Sequence, residues 1–219
     1  MKYWKFFLLS LGIIIFDQMV KLLVHFNMDP GISGEIAVFG DWFLLHYLLN
    51  PGMAFGLQLE TEYGKMILTL FRLIAIVGIG YYLIHQVSNG VHSGMAWCLA
   101  LIFGGAIGNA IDSTLYGVLL ENAPPNSPSP WFYGQVIDML YFPLFEGTFP
   151  QWVPFVGSDN FQFFRPVFNV ADASIFIGVT SILIFQRRFI PDSKKQKKEE
   201  ITSQESNPQL DKNLQNLPD

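Results

Sequence analysis

The chain has 219 residues, of which 51% are hydrophobic, 16% aromatic and only 14% charged, and its mean hydropathy is +0.33. That balance excludes an ordinary water-soluble domain and marks a membrane protein. The formal net charge of -5 arises from a few clusters, with the basic residues concentrated between 187 and 198, so no nucleic-acid partner is implied.

The first apolar run, residues 6–26, follows Lys2 and Lys5 and begins like a signal peptide. It continues past Asp17 to membrane-spanning length without an A-x-A-like cleavage site, so it reads as a retained helix. Segment 27–65 holds a β-like stretch at 36–49, broken by Gly40-Asp41, and predicts a small sheet at the membrane surface. Spans are expected next at 66–84 and 95–111. The single cysteine, Cys98, falls inside the latter run and is read as a packing residue. Segment 113–169 is rich in Pro and aromatic residues, which argues against regular helix through most of it and suits a loop in the headgroup region. A fourth span covers 170–185. The polar tail, 192–219, is expected to be disordered and cytoplasmic.

The Lys and Arg residues that flank the first and fourth spans place both termini in the cytoplasm. Segments 27–65 and 113–169 then face outward. The fold class is therefore an all-α membrane protein of four transmembrane helices, with a small β-sheet cradle and long loops on the outer face. Residues 1–191 form one membrane domain.

Ionisable groups in apolar helices are costly, and each requires a reason. Asp17 and Lys21 are spaced i, i+4 and form a structural ion pair. Arg72, in the second span, either braces an acidic group between helices or snorkels to the interface. The third span carries a small-residue face, Gly104-Gly105-Ala106-Ile107-Gly108, suited to close helix approach, and ends in Asn109-x-x-Asp112. The same spacing returns at Asn169-x-x-Asp172, where the fourth span begins. Ordinary helix-start chemistry accounts for that pair as well, with Asn169 as N-cap and Asp172 in the first turn. Asp112, Asp138 and Asp172 nevertheless fall at one membrane face. Close, partly buried carboxylates suit aspartyl hydrolysis, in which one accepts a proton from water while a protonated partner polarises the scissile carbonyl. The four histidines form no H-E-x-x-H, and no G-x-S-x-G motif occurs. An ion-conducting protein would spread its acids along the membrane depth, whereas three of Asp17, Asp112, Asp138 and Asp172 cluster at one side.

Five motifs in order resemble those of lipoprotein signal peptidase (signal peptidase II), an aspartyl peptidase family of bacterial cytoplasmic membranes. They are Asp17-Gln18-x-x-Lys21, Asn50-Pro51-Gly52-Met53-Ala54-Phe55-Gly56, Gly108-Asn109-x-x-Asp112, Val136-Ile137-Asp138 and Phe168-Asn169-x-Ala171-Asp172. The resemblance implies a catalytic dyad of Asp138 and Asp172, with Asn50, Gly52, Asn109, Asp112 and Asn169 binding substrate or supporting the site. It implies a diacylglyceryl-modified prolipoprotein cut on the amino side of its lipidated cysteine, with no metal or organic cofactor. The expected partners are that substrate and membrane lipid, the chain acts as a monomer, and the active site faces the periplasm. Two departures stand out. Ser113 occupies a position where the family usually has arginine, leaving Arg72 or Arg165 to supply its contact, and the segments flanking Asp138 are longer than the family's. A non-catalytic lipoprotein-handling or assembly protein that keeps the fold is the alternative that the Ser113 departure leaves open.

Overall fold

A computed structural model describes residues 3–52, 63–143, 145–148, 152, 160–163 and 167–189. The tail beyond residue 189, the motif residues 53–56 and Arg165 lie outside the described residues. Four helical spans are long and apolar enough to cross a membrane: Trp4–Asn27, Gly64–Ser88, Ser93–Leu119 and Val170–Phe189. The 24 residues of α1 (Trp4–Asn27) reach about 36 Å at ~1.5 Å per residue, enough for a bilayer's hydrocarbon core.

The helices are amphipathic in the sense a membrane requires. On α1 the buried stripe is Phe6, Ser10, Asp17, Lys21 and Val24, whereas Leu8, Leu11, Ile15, Phe16, Met19 and Leu23 are exposed. Apolar side chains outside cost nothing in lipid, and polar ones inside can satisfy one another. Helix α2 (Gly64–Ser88) shows a broad apolar outer face through Ile67, Phe71, Ile74 and Val77.

Helix α3 (Ser93–Ile111) is the centre of the bundle. Half of its apolar window is buried, against 17–22% in the other spans, and it packs on all three other spans. Its glycines permit this, as the sequence predicts. Gly104 lies against the Ser10 backbone of α1, and a Cβ on Gly105 would collide with the Ala171 carbonyl of α5 (Val170–Phe189).

The third span does not stop at residue 111 as its hydropathy predicts. A π-helical turn, Asp112–Tyr116, carries it into a short α4, Gly117–Leu119. The apolar signal fades because Asp112 and Ser113 are polar, yet both are wholly buried. They face inward and the helix continues. Such π turns frequently mark functional sites.

The larger sheet has four antiparallel strands in the order β1 (Ile36–Phe39), β2 (Phe43–Asn50), β3 (Val136–Tyr141) and β6 (Val167–Phe168). The first two fill the predicted stretch, with the turn at Gly40-Asp41. The others correct the sequence expectation of a loop around Asp138. Strand β3 is buried on both faces, so it lacks the alternation that identifies a half-buried strand. A separate pair, β4 (Phe145–Thr148) and β5 (Asn160–Phe163), lies in the segment between β3 and β6. The register sets Leu48 opposite Asp138 and Asn50 opposite Val136, after a bulge in β2 between Leu45 and Leu48. Asn50 and Asp138 therefore share one face of the sheet.

Two apolar clusters bracket the polar interior. One joins Phe6, Leu83, Val87, Met95, Cys98, Leu99 and Phe189 at the end away from the sheet, where Cys98 is a packing residue as expected. The other joins Val24, Tyr47, Tyr116, Ile137 and Met139 beneath the sheet. His25 of α1 and the Tyr47 hydroxyl, 2.7 Å apart, pin helix to sheet.

Candidate active site

Three elements deliver the predicted acids. Asp138 comes from the middle of β3, Asp172 from the first turn of α5, and Asp112 from the π turn that extends α3. Strand β6 runs directly into α5 through Asn169, so the sheet and the helix start are joined by one residue.

Asn169 caps α5 as the sequence predicts. Its Oδ1 accepts from the Asp172 backbone N–H at 2.9 Å, and the Asn169 N–H donates to Asp172 Oδ2 at 3.4 Å, a reciprocal capping box. Capping therefore does not keep Asn169 from contacting the other acid. Because the Asp172 N–H is donor-only, the amide must turn its oxygen to the helix and its Nδ2 elsewhere. That nitrogen donates to Asp138 Oδ1 at 2.6 Å and to Asn109 Oδ1 at 3.1 Å. Both amide hydrogens and the oxygen are used, consistent with its complete burial.

Asn109 closes the ring. Its Nδ2 donates to Asp172 Oδ1 at 2.7 Å, and its Oδ1 accepts from Lys21 Nζ at 3.0 Å as well as from Asn169. From the other side, Asn50 Nδ2 donates to Asp138 Oδ2 at 2.9 Å while Asn50 Oδ1 accepts from the Gly52 N–H at 2.8 Å. Asp138 and Asp172 are thus held in one frame of three asparagine amides.

Asp138 is almost completely buried. Burial, and then the charge of Asp172, push its carboxyl up to about 7, against a smaller opposing effect of the Asn50 and Asn169 amides. Near neutral pH it can hold a proton.

Beneath the dyad lies an ion triad with no solvent exposure. Lys21 Nζ is 2.8 Å from Asp17 Oδ2 and 2.8 Å from Asp112 Oδ2. The pairing with Asp17 is the structural bridge the sequence predicts, and Asp112 is its second partner. The remaining oxygens are satisfied too. Asp17 Oδ1 accepts from the Ala171 N–H at 2.8 Å, Asp112 Oδ2 from the Ile137 N–H at 3.3 Å, and Gln18 Nε2 donates to Asp112 Oδ1 at 2.9 Å. The Tyr116 hydroxyl donates in turn to Gln18 Oε1 at 2.9 Å. The triad thereby grips the residues beside both dyad members.

Arg72 does not snorkel, and the groups its guanidinium braces are neutral rather than the acid expected. Its Nη1 donates to Ser113 Oγ at 2.7 Å and its Nη2 to the Gly52 carbonyl at 3.3 Å. A guanidinium therefore does reach the position where Ser113 departs from the family pattern, and it comes from α2. The charges of Asp172, Asp112 and Asp138 all act on it. Gly52 has φ +91, and a Cβ there would press on the guanidinium at 3.0 Å, so both backbone and space require glycine. Lys65 Nζ donates to the Pro51 carbonyl at 2.7 Å and steadies the same turn.

All ten predicted site residues therefore gather at one end of the bundle. Sequence reasoning gave no role to Gln18, Ser113, Lys65 and Tyr116. Gln18 stood inside a quoted motif, but only the fold shows what it bonds, and Tyr116 lay in what read as a loop. Among the described residues no group of three or more His, Cys, Asp or Glu side chains could hold a metal ion.

The family profile of Signal peptidase (SPase) II matches residues 9–188. The lipoprotein signal peptidase of Amoebophilus asiaticus is 47% identical over 191 residues, covering 86% of this chain and 80% of that protein. That of Porphyromonas gingivalis is 40% identical over 189 residues, covering 81% and 80%. A solved bacterial membrane enzyme, determined in meso at 1.9 Å, matches with a TM-score of 0.57 at 26% identity, covering 86% of this chain and 94% of that one. The chain belongs to the signal peptidase II family, the lipoprotein signal peptidases, whose role is to remove signal peptides from prolipoproteins.

Proposed function

We propose that the chain removes the signal peptide of diacylglyceryl-modified prolipoproteins with Asp138 and Asp172 as its catalytic dyad, cutting on the amino side of the lipidated cysteine. The observation that carries this reading is the amide frame, in which Asn169 and Asn109 link two carboxylates from different elements. The pair shares one proton, held on Asp138. Asp172 accepts a proton from water as the water oxygen attacks the scissile carbonyl carbon, and Asp138 gives its proton to the carbonyl oxygen. As the tetrahedral intermediate collapses, the proton on Asp172 passes to the departing cysteine nitrogen. Asp138 recovers its proton from the intermediate's hydroxyl, and the pair is ready again.

The enzyme sits in the bacterial inner membrane with both termini cytoplasmic and the dyad at the periplasmic face, where it works as a monomer. The basic residues flanking α1 and α5 support that orientation. A substrate anchored by two acyl chains, each buried CH₂ contributing about 0.8 kcal/mol, keeps its scissile bond near the outer headgroups. Bilayer positioning then supplies much of the orientation that catalysis needs.

The purified chain, reconstituted in lipid, is expected to convert a diacylglyceryl prolipoprotein to a product whose mass begins at the lipidated cysteine, and to cut the unlipidated precursor far more slowly. Equal rates on the two substrates would remove the lipid-anchoring argument. The proton on Asp138 adds a pH test. Its carboxyl is raised to about 7, so the donor form persists below that value and disappears above it. The rate constant kcat/KM is expected to fall by about tenfold per pH unit on the alkaline side. A profile that stays flat for roughly two units beyond that point contradicts a proton on Asp138.

A further inference from the structure

We propose that Lys21, beyond pairing with Asp17, is a positioning residue of the reaction: through Asn109 it fixes which end of the amide meets Asp172 and so keeps that carboxylate a proton acceptor. The inference rests on the aspartyl reading above. An ammonium can only donate. With Lys21 Nζ at 3.0 Å, the Asn109 side chain must present Oδ1 to the lysine and Nδ2 to Asp172, where the contact is 2.7 Å. An amide in the opposite orientation would offer Asp172 an oxygen, which only a protonated carboxyl can satisfy. Asn169 also donates to Asn109 Oδ1, but as a neutral group and at 3.1 Å. The charged, shorter donor is the stronger constraint.

With three N–H donors and no solvent, the buried ammonium needs a third acceptor beside its two carboxylates at 2.8 Å. That acceptor is the Asn109 side chain, which also bonds Asn169 and Asp172. Other charges surround the dyad: Asp138 from β3, Arg72 from α2 with Lys65 beside it, Asp17 from α1 and Asp112 from the π turn. Among these cations Lys21 acts on Asp172 through a shared amide, whereas Arg72 is bonded to Ser113 and the Gly52 carbonyl.

Lys21→Met alone would leave two buried carboxylates facing each other, so the informative variant is Lys21→Met with Asp112→Asn, which removes one charge of each sign. In the reconstituted full chain, the acid limb of kcat/KM, which reports the first ionisation of the carboxylate pair, is expected to move up by about one pH unit. Adding the same two changes to an Asn109→Ala enzyme is expected to move the limb by less than half as much, because the intermediary is gone. Thermal unfolding of each variant separates loss of folded enzyme, which scales the rate equally at every pH. An acid limb at the parent's position in folded double variant, or an equal shift with and without Asn109, overturns the proposal. A parent chain that leaves the lipidated substrate uncut overturns the aspartyl reading and this inference with it, and only the second falls if the parent cleaves and the limb stays put.

Discussion

Asp138→Asn and Asp172→Asn are each expected to reduce kcat by at least about 10²–10⁴-fold, the contribution of one positioned acid or base, while leaving the KM for a lipidated substrate near the parent's. The two replacements fail for different reasons. At Asp138 both oxygens already accept amide N–H groups, from Asn169 at 2.6 Å and Asn50 at 2.9 Å. An asparagine there turns its own NH₂ against one of those donors and has no proton to give the carbonyl. At Asp172 the amide meets the Asn109 Nδ2 donor and has no basic oxygen to take a proton from water. Binding is expected to be spared, because under the proposed function the acyl chains of the substrate hold it in the bilayer. The measurement is single-turnover cleavage of a diacylglyceryl prolipoprotein in lipid nanodiscs, followed by intact mass, with circular dichroism to verify the fold. If either variant keeps more than about a tenth of the parent's rate, its residue does not belong to the dyad.

The parts of this molecule that a sequence can carry are those written along a single element. The spans, the small-residue face of α3, the Asp17–Lys21 spacing and the Asn169 cap each depend on neighbours within a turn or two, and each is present in the fold. The π turn was hidden because inward-facing Asp112 and Ser113 end the apolar run without ending the helix. Strand β3 was hidden because both of its faces are buried, which removes the alternation of a surface strand. Contacts between elements were less legible. Sequence could name Arg72 and Arg165 as replacements for a missing arginine contact, but only packing brings Arg72 to Ser113. In the same way, nothing along the chain links Tyr116 to Gln18, 98 positions apart. The role of Asn169 needed both kinds of information, since the cap is local and the bond to Asp138 is not.

The triad beneath the dyad carries the other large expected effect. Asp17→Ala is expected to destabilise the protein by about 3–5 kcal/mol, the cost of breaking a buried ion pair from one side. The loss has three parts. Lys21 keeps Asp112 but loses a partner at 2.8 Å; the Ala171 N–H at the start of α5 loses its acceptor; and Gln18 Nε2 loses a weaker contact at 3.2 Å. Asp17→Asn, which can still accept from Ala171, is expected to cost less. The difference between the two substitutions reads out what the helix start draws from this carboxylate. Because Ala171 precedes Asp172, releasing its N–H loosens the turn that aims the dyad. The alanine variant is therefore expected to lose more activity than its folded fraction accounts for, as measured by thermal unfolding in detergent alongside cleavage below the melting temperature. Equal stability of Asp17→Ala and the parent would show that the buried triad contributes nothing to the fold. Activity that tracks the folded fraction alone would confine Asp17 to a structural role and place the alignment of Asp172 with Asn169 and Asn109.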